Sequence, residues 1–145
     1  MFLVDTNYYV RAIRDAAFGE RFRAWHAVSL AELVLSAVVL HELLVGATDT
    51  HARRRLEVAY AEPFRRRSRV LVPSLAVWER AADTDATLRK DGRYAVLLEQ
   101  RGFANDLLIA LSARAIGATV LTENVTHFGI LNEVTGVRFG PAPFA

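Results

Sequence analysis

The chain has 145 residues, the length of one ordinary domain, and its 52% of hydrophobic residues is enough to build a sizeable core. It contains no cysteine, which excludes disulfides, thiolate zinc sites and cysteine nucleophiles. The net charge is only +2, and neither a signal-peptide pattern nor an apolar run near the ~20 residues that span a bilayer is present. We therefore expect one soluble, cytoplasmic domain over residues 1–145, without membrane contact.

Short apolar runs alternate with segments of helical periodicity. The predicted strands are, in chain order, 2–4, 33–35, 70–72, 118–121 and 137–139. The predicted helices are 8–14, 18–28, 37–45, 48–64 with a stop near Pro63, 75–88, 94–100 and 105–116. Ser36 and Ser74 are placed to cap two of these helices, and Gly117 is placed to end the last. Strands that alternate with helices predict an α/β domain with a parallel sheet covered on both faces.

Four polar or acidic residues fall where such a sheet would bind a ligand. Asp5 follows the first strand, Glu123 and Asn124 follow the fourth, and Asp106 lies in the first turn of a helix. Ligands of open α/β sheets bind at the carboxyl ends of the strands, so we expect these side chains to share one edge. Each also has an ordinary explanation, because Asp5 can cap a helix, Asp106 can favour a helix start, and Glu123 and Asn124 can be turn residues.

Glu42 is the most informative acid, since it lies inside the apolar segment 38–45, where a charge without a partner is energetically costly. A salt bridge to a core-facing arginine is the alternative explanation. Together with Asp5 and Asp106 it would form a group of three repelling carboxylates, with at least one raised pKa unless a cation is bound. Oxygen ligands without sulfur favour Mg²⁺ or Mn²⁺ over zinc.

Arginines are concentrated at 53–55 and at 65–69. Such clusters can bind the phosphates of a nucleic acid. They can equally form a solvated helix face on which Glu57 and Glu62 pair with some of them, and we favour this explanation. Other familiar sites are not supported, because the chain has no Walker, Gly-x-Gly-x-x-Gly or Gly-x-Ser-x-Gly motif and His41-Glu42 lacks a second zinc-binding histidine at position 45.

Four motifs, in this order along the chain, resemble those of PIN-domain proteins, in particular the VapC-type toxins of bacterial toxin–antitoxin pairs. They are Phe-Leu-Val-Asp-Thr-Asn at 2–7, His-Glu-Leu-Leu-Val-Gly at 41–46, Asn-Asp-Leu-Leu-Ile-Ala at 105–110 and Leu-Thr-Glu-Asn-Val-Thr-His-Phe at 121–128. The resemblance covers essentially the full length. It implies a three-layer α/β/α fold around a central, mostly parallel sheet of about five short strands.

The resemblance also implies a Mg²⁺- or Mn²⁺-dependent endoribonuclease with catalytic residues Asp5, Glu42, Asp106 and Asn124. Asp5, Asp106 and Glu42 are the expected metal ligands. Asn124 stands where the family often has an acid, as does His127, so one metal site is expected and a second is open. Thr6, Asn7 and Thr122 are expected to hydrogen-bond the ligands.

The expected partners are an RNA substrate, a cognate VapB-like antitoxin bound near the active site, and a second copy in a homodimer. Tyr8, Tyr9 and Trp25 are candidates to line the antitoxin surface, and burial in the core is the alternative. We expect at most one of the adjacent tyrosines to face inward. Two other functions fit the motifs: an inactive PIN-like module that binds RNA or a partner, and a PIN nuclease that acts in RNA processing outside toxin–antitoxin systems.

Overall fold

The computed structural model describes residues 1–100 and 102–144 and contains the five short strands that the sequence predicts. They are β1 (Phe2–Val4), β2 (Leu33–Ser36), β3 (Val70–Leu71), β4 (Thr119–Leu121) and β5 (Arg138–Gly140). The spatial order is β3-β2-β1-β4-β5, and every neighbouring pair is parallel. The prediction of a parallel central sheet is therefore confirmed.

Helices flank this sheet and complete the three-layer α/β/α arrangement. They are α1 (Thr6–Arg14), α2 (Ala16–Ser29), α3 (Ala37–Gly46), α4 (Thr50–Leu56), α5 (Glu62–Arg65), α6 (Leu75–Asp91), α7 (Ala95–Leu98), α8 (Phe103–Ala115) and α9 (Val125–Thr135). A π-helical segment, Glu57–Ala61, joins α4 to α5. Helix α1 packs against α2 and α3, and α8 packs against α6 and α9. In the described part of the chain no helix is both long enough and apolar enough to cross a bilayer.

One predicted helix end is shifted, and one helix was not predicted. The helical region after Thr48 does not stop near Pro63 but continues to Arg65, because Pro63 lies in the first turn of α5, where a missing N–H leaves no helical hydrogen bond unmade. Helix α9 was missed altogether. Its start is capped by the Asn124 side chain, which accepts a hydrogen bond from the backbone N–H of His127, and its end is marked by Gly136 at φ 73°.

Strand β1 lies at the centre of the sheet and sets the position of the functional residues. The strand order runs away from β1 in both directions, so the crevice between β1 and β4 is the switch point at which α/β sheets bind ligands. Val4 pairs with Leu121 in the register, and the Asp5 N–H donates to the Leu121 carbonyl at 2.9 Å. The residues that follow these strands, Asp5 and Thr122, therefore stand side by side.

The expectation that at most one of Tyr8 and Tyr9 faces inward was wrong, since both side chains are fully buried. Helix α1 is covered from two sides: Tyr8 stacks on Phe18 at 6.1 Å between ring centroids, whereas Tyr9 contacts Tyr60 at 5.1 Å. The tyrosines are thus core residues. Trp25 is half-buried against the same aromatic cluster.

Candidate active site

Asp5 is both a helix cap and a member of a polar cluster, so the two explanations of this residue are compatible. Its Oδ1 accepts a hydrogen bond from the Thr6 N–H at 2.7 Å, which starts α1. Its Oδ2 accepts from the Thr122 hydroxyl at 2.6 Å and from the Asn7 amide at 2.9 Å. The neighbouring strand end therefore orients the carboxylate that begins the helix.

Asp106 lies in the first turn of α8 and is 7% exposed. Its Oδ2 faces His127 Nδ1 at 2.6 Å and accepts a hydrogen bond from the Asn124 amide at 3.1 Å. Both partners come from the start of α9, which follows β4. The missed helix is therefore the element that supports this acid.

Glu42 approaches from α3 and is half-buried. It accepts hydrogen bonds from the Thr6 hydroxyl and, at 2.8 Å, from the Asn105 amide. Among the described residues no arginine or lysine forms a salt bridge with it, so the alternative of a structural ion pair receives no support. The hydrogen bonds that the described residues donate to this carboxylate come from neutral groups.

The three acids line one open cleft of about 620 Å³, together with Thr6, Asn7, Val10, Gly102, Glu123, Asn124 and His127. Burial and the nearby Asp5 charge raise the pKa of Asp106 to about 7, against a partial opposing effect of His127. Burial and the charge of Glu42 also raise the pKa of Asp5, although the Thr122 and Thr6 hydrogen bonds oppose this. The acids therefore meet and disfavour each other's ionised forms, as the sequence leads us to expect.

The donor set fits a hard divalent cation in its chemistry. The cleft offers carboxylate and amide oxygens and no sulfur, which suits Mg²⁺ or Mn²⁺. Asn7 Oδ1 is buried without a hydrogen-bond partner, and its amide orientation is fixed because Nδ2 donates to Asp5 Oδ2 and to Thr122. Within residues 1–100 and 102–144, however, no three acidic or histidine side chains are already grouped at ligand distance. An ion at this site would therefore rely partly on water ligands or on small side-chain shifts.

The side chains of Glu123 and Asn124, which follow β4, point in different directions. Asn124 turns its amide NH₂ toward Asp106, while its oxygen accepts a hydrogen bond from the backbone N–H of His127 and caps α9. Glu123 forms a salt bridge with Arg11 instead of facing Asp106. This agrees with the expectation that the Glu123 and Asn124 side chains point apart.

The arginine clusters are largely engaged with the protein itself. Arg53 pairs with Glu57, and Arg54 and Arg66 both pair with Glu62. The predicted pairing with Glu57 and Glu62 is therefore confirmed for these three arginines. Arg69 donates to the backbone carbonyls of Ala31 and Leu33 and so links the start of β3 to that of β2.

Three polar residues of the site were not assigned such contacts from sequence. Asn105 holds Glu42, and His127 spans from Asp106 to Gln100, whose Oε1 lies 2.8 Å from Nε2. Asn105 could have been found, since it precedes Asp106 on the same helix. The role of Gln100 has no sequence signal, because its partner lies 27 positions away.

Comparison with known proteins decides the family. The sequence model of the PIN domain family matches residues 2–127 of this chain. The chain belongs to the PIN domain family. Members of this family are generally nucleases. By sequence, no significant match is found among curated proteins.

Solved structures share this PIN fold over nearly the full chain. DNA-bound VapBC from Salmonella typhimurium is 25% identical, with coverage of 97% of this chain and 96% of that chain and a TM-score of 0.68. FitAcB from Neisseria gonorrhoeae is 23% identical, covers 96% of both chains and has a TM-score of 0.67. VapBC2 from Rickettsia felis, bound to a promoter DNA fragment, is 21% identical, with coverage of 97% and 98% and a TM-score of 0.63.

Proposed function

We propose that this PIN domain, acting as one domain over residues 1–145, is a Mg²⁺- or Mn²⁺-dependent endoribonuclease and the toxin of a VapBC-type pair in the cytoplasm. The single observation that carries the nuclease proposal is the convergence of Asp5, Glu42 and Asp106 on one cleft at the switch point of the sheet. Family membership supports hydrolysis of a phosphodiester bond. The structural similarity to VapBC and FitAcB complexes supports the toxin role.

Asp5 and Asp106 would hold the ion, and Glu42 would complete the set or position a water molecule. A bound ion supplies a Lewis acid that polarises the phosphate and lowers the pKa of a coordinated water. Thr122 and Asn7 fix the Asp5 carboxylate by donating to its Oδ2. Asn124 donates to Asp106 Oδ2, and His127 Nδ1 forms a further hydrogen bond with the same oxygen. These contacts reduce the reorganisation that ligand binding would otherwise require.

The proposal is tested by cleavage of a structured RNA in the presence of Mn²⁺, with EDTA as the metal-free arm. We expect Asp5→Asn to reduce the rate by more than about 100-fold, because even the hydrogen-bond partners of metal ligands cost roughly 10- to 100-fold when they are removed. Glu123→Gln is the matched control, since Glu123 lines the same cleft but is paired with Arg11. Equal cleavage by wild type and Asp5→Asn, or no cleavage by either, would contradict the proposal.

An inactive RNA-binding module is the second candidate, and one observation favours it. Beside the three acids, the cleft contains the neutral Asn124 at a position where the family often has a fourth acid. Asn124 donates a hydrogen bond to Asp106, whereas an acid there would repel it. Such a module would bind RNA without cleaving it at any Mn²⁺ concentration. The cleavage assay therefore separates it from the nuclease.

The toxin role has its own test. The short reading frame next to this gene should encode a DNA-binding VapB-like antitoxin. Expression of this chain should arrest growth, and co-expression of the antitoxin should relieve the arrest. Expression of Asp5→Asn should cause no arrest even without the antitoxin. The absence of such a neighbour would indicate a PIN nuclease of RNA processing. Growth arrest that persists with Asp5→Asn would contradict the toxin role proposed here, because the arrest would then not depend on cleavage. A homodimer belongs to the same proposal, and Leu75 and Trp78, exposed one turn apart on α6, offer an apolar surface for it.

A further inference from the structure

A second cavity adjoins the acid cleft. It measures about 460 Å³, within the usual range for ligand pockets, and is bounded by α1 to α4 and the π-helical segment. Its apolar wall includes Leu43 and Leu56, and it shares Val10 and Glu42 with the acid cleft. The two cavities therefore lie next to each other, with Val10 and Glu42 at their common boundary.

Three exposed arginines from three different helices line this second cavity. Arg14 ends α1, Arg23 lies in α2 and Arg55 lies in α4. We call this cavity the arginine groove. It is defined by the three arginines and by the apolar wall that includes Leu43 and Leu56. Among residues 1–100 and 102–144, none of the three has a carboxylate within 4.0 Å.

The neighbouring arginines of α4 behave differently. Arg53 and Arg54 point to Glu57 and Glu62 and form salt bridges with them. Arg11, on the other side of the acid cleft, is paired with Glu123. Unpaired positive charge near the cleft is thus concentrated in the groove, so far as the described residues show.

The proposed reaction requires such charge. Three carboxylates repel the polyanionic strand that must reach them, and a bound divalent ion offsets only part of this repulsion. Guanidinium groups bind phosphate bidentately and stack on bases, while an apolar wall suits the face of a base or a ribose. A strand with one phosphate at the acids continues into the groove, because the two cavities share their boundary.

We propose that the arginine groove is a nucleotide subsite that binds the RNA residue next to the scissile phosphate, with Arg14, Arg23 and Arg55 on the backbone. This inference rests on the proposed RNA cleavage. The occupant we commit to is RNA, because the groove adjoins the acid cleft at Val10 and Glu42, where a strand held at the acids would pass. An acidic protein segment is the alternative that the experiment distinguishes.

The test measures binding separately from cleavage. All variants are made in the Asp5→Asn background, and the affinity for a labelled single-stranded RNA of about 12 nucleotides, within the usual site size, is measured by fluorescence anisotropy. The groove variant is Arg14→Gln/Arg23→Gln/Arg55→Gln. The control is Arg53→Gln/Arg54→Gln/Arg66→Gln, which removes the same charge from arginines that are paired with Glu57 and Glu62.

We expect the groove variant to lose at least about 10-fold in RNA affinity, and its slope of log K against log salt to fall by about 2, since each lost phosphate contact on a single strand removes about 0.7. The control should stay within about threefold of the parent, because its arginines already have protein partners. The double variant Arg14→Gln/Arg55→Gln, which leaves Arg23 near the α1–α2 contact, should show a smaller loss in the same direction.

An unchanged affinity and salt slope in a folded groove variant would overturn the inference. The same holds if RNA affinity is unchanged while binding of the co-expressed antitoxin is weakened, since the groove would then be a protein site. Because binding is read in a cleavage-deficient background, failure of this inference is distinguishable from failure of the nuclease proposal. The latter is decided by the Mn²⁺ cleavage assay of wild type.

Discussion

At the scale of single residues, Asp106 is a buried acid of the cleft whose pKa is strongly raised. It is buried on α8, faces the charge of Asp5, and is restrained by Asn124 and His127. In the absence of a cation the protonated form of this carboxyl is favoured, which raises its pKa to about 7. The free energy of unfolding must therefore depend on pH through this group.

The folded-state pKa of about 7 lies above the ordinary aspartate value of 3.8, which we assign to the unfolded chain, so between these pH values the folded state binds more protons. We predict that the contribution of Asp106 to the stability of the EDTA-treated protein falls as the pH rises from about 4 to about 7. Thermal unfolding of wild type and Asp106→Asn across pH 5 to 8 measures this. The variant should lose the part of the decline that Asp106 contributes and keep the part that comes from Asp5, whose pKa is also raised.

Without metal, wild type should lose stability relative to Asp106→Asn as the pH rises. At pH 8, above the pKa of Asp106, Mn²⁺ should offset this loss by raising the melting temperature of wild type more than that of the variant. A wild-type protein that becomes more stable than Asp106→Asn as the pH rises without metal would contradict the assignment of the raised pKa.

At the scale of elements, the contact between α1 and α2 positions the residues that follow β1. A Cβ atom on Gly19 would lie 2.3 Å from the backbone oxygen of Ala12, closer than any side chain tolerates. Helix α2 can therefore approach α1 at this point only with glycine. The opposite case is Gly129 in α9, where a Cβ atom would meet nothing within 4 Å.

These two glycines give a matched pair of predictions. Gly19→Ala should destabilise the protein by about 1–3 kcal/mol because the two helices must separate. Gly129→Ala should stabilise it by about 0.5–1 kcal/mol because glycine is a poor residue within a helix. Urea denaturation with EDTA measures both. Equal effects of the same sign at the two positions would contradict the described packing.

The strands and most helices could be predicted from sequence because their signals are local. Asp5, Ser36 and Ser74 cap the helices they precede, and the apolar runs coincide with β1 to β5. The burial of Tyr8 and Tyr9 could not be predicted, because an argument from a single buried helix face fails when a helix is covered from two sides.

At the scale of the whole molecule, the parallel order of the sheet explains how distant residues form one cleft. Asp5 follows β1, Asp106 lies in the first turn of α8 and Glu42 lies within α3, and all three line the cleft at the β1–β4 switch point. The convergence was predictable from strand ends and motifs, whereas the support of Asp106 by His127 and Gln100 was not, since it depends on the missed α9. The arginine groove likewise depends on the packing of α1, α2 and α4.

The most direct test of the central claim is anomalous difference density from a crystal of this protein soaked in Mn²⁺. We predict one strong peak per chain in the acid cleft, in contact with the carboxylates of Asp5 and Asp106, and its loss in Asp106→Asn. The absence of a peak between these acids in wild type, or a peak that persists unchanged in the variant, would contradict the claim that they form the metal site.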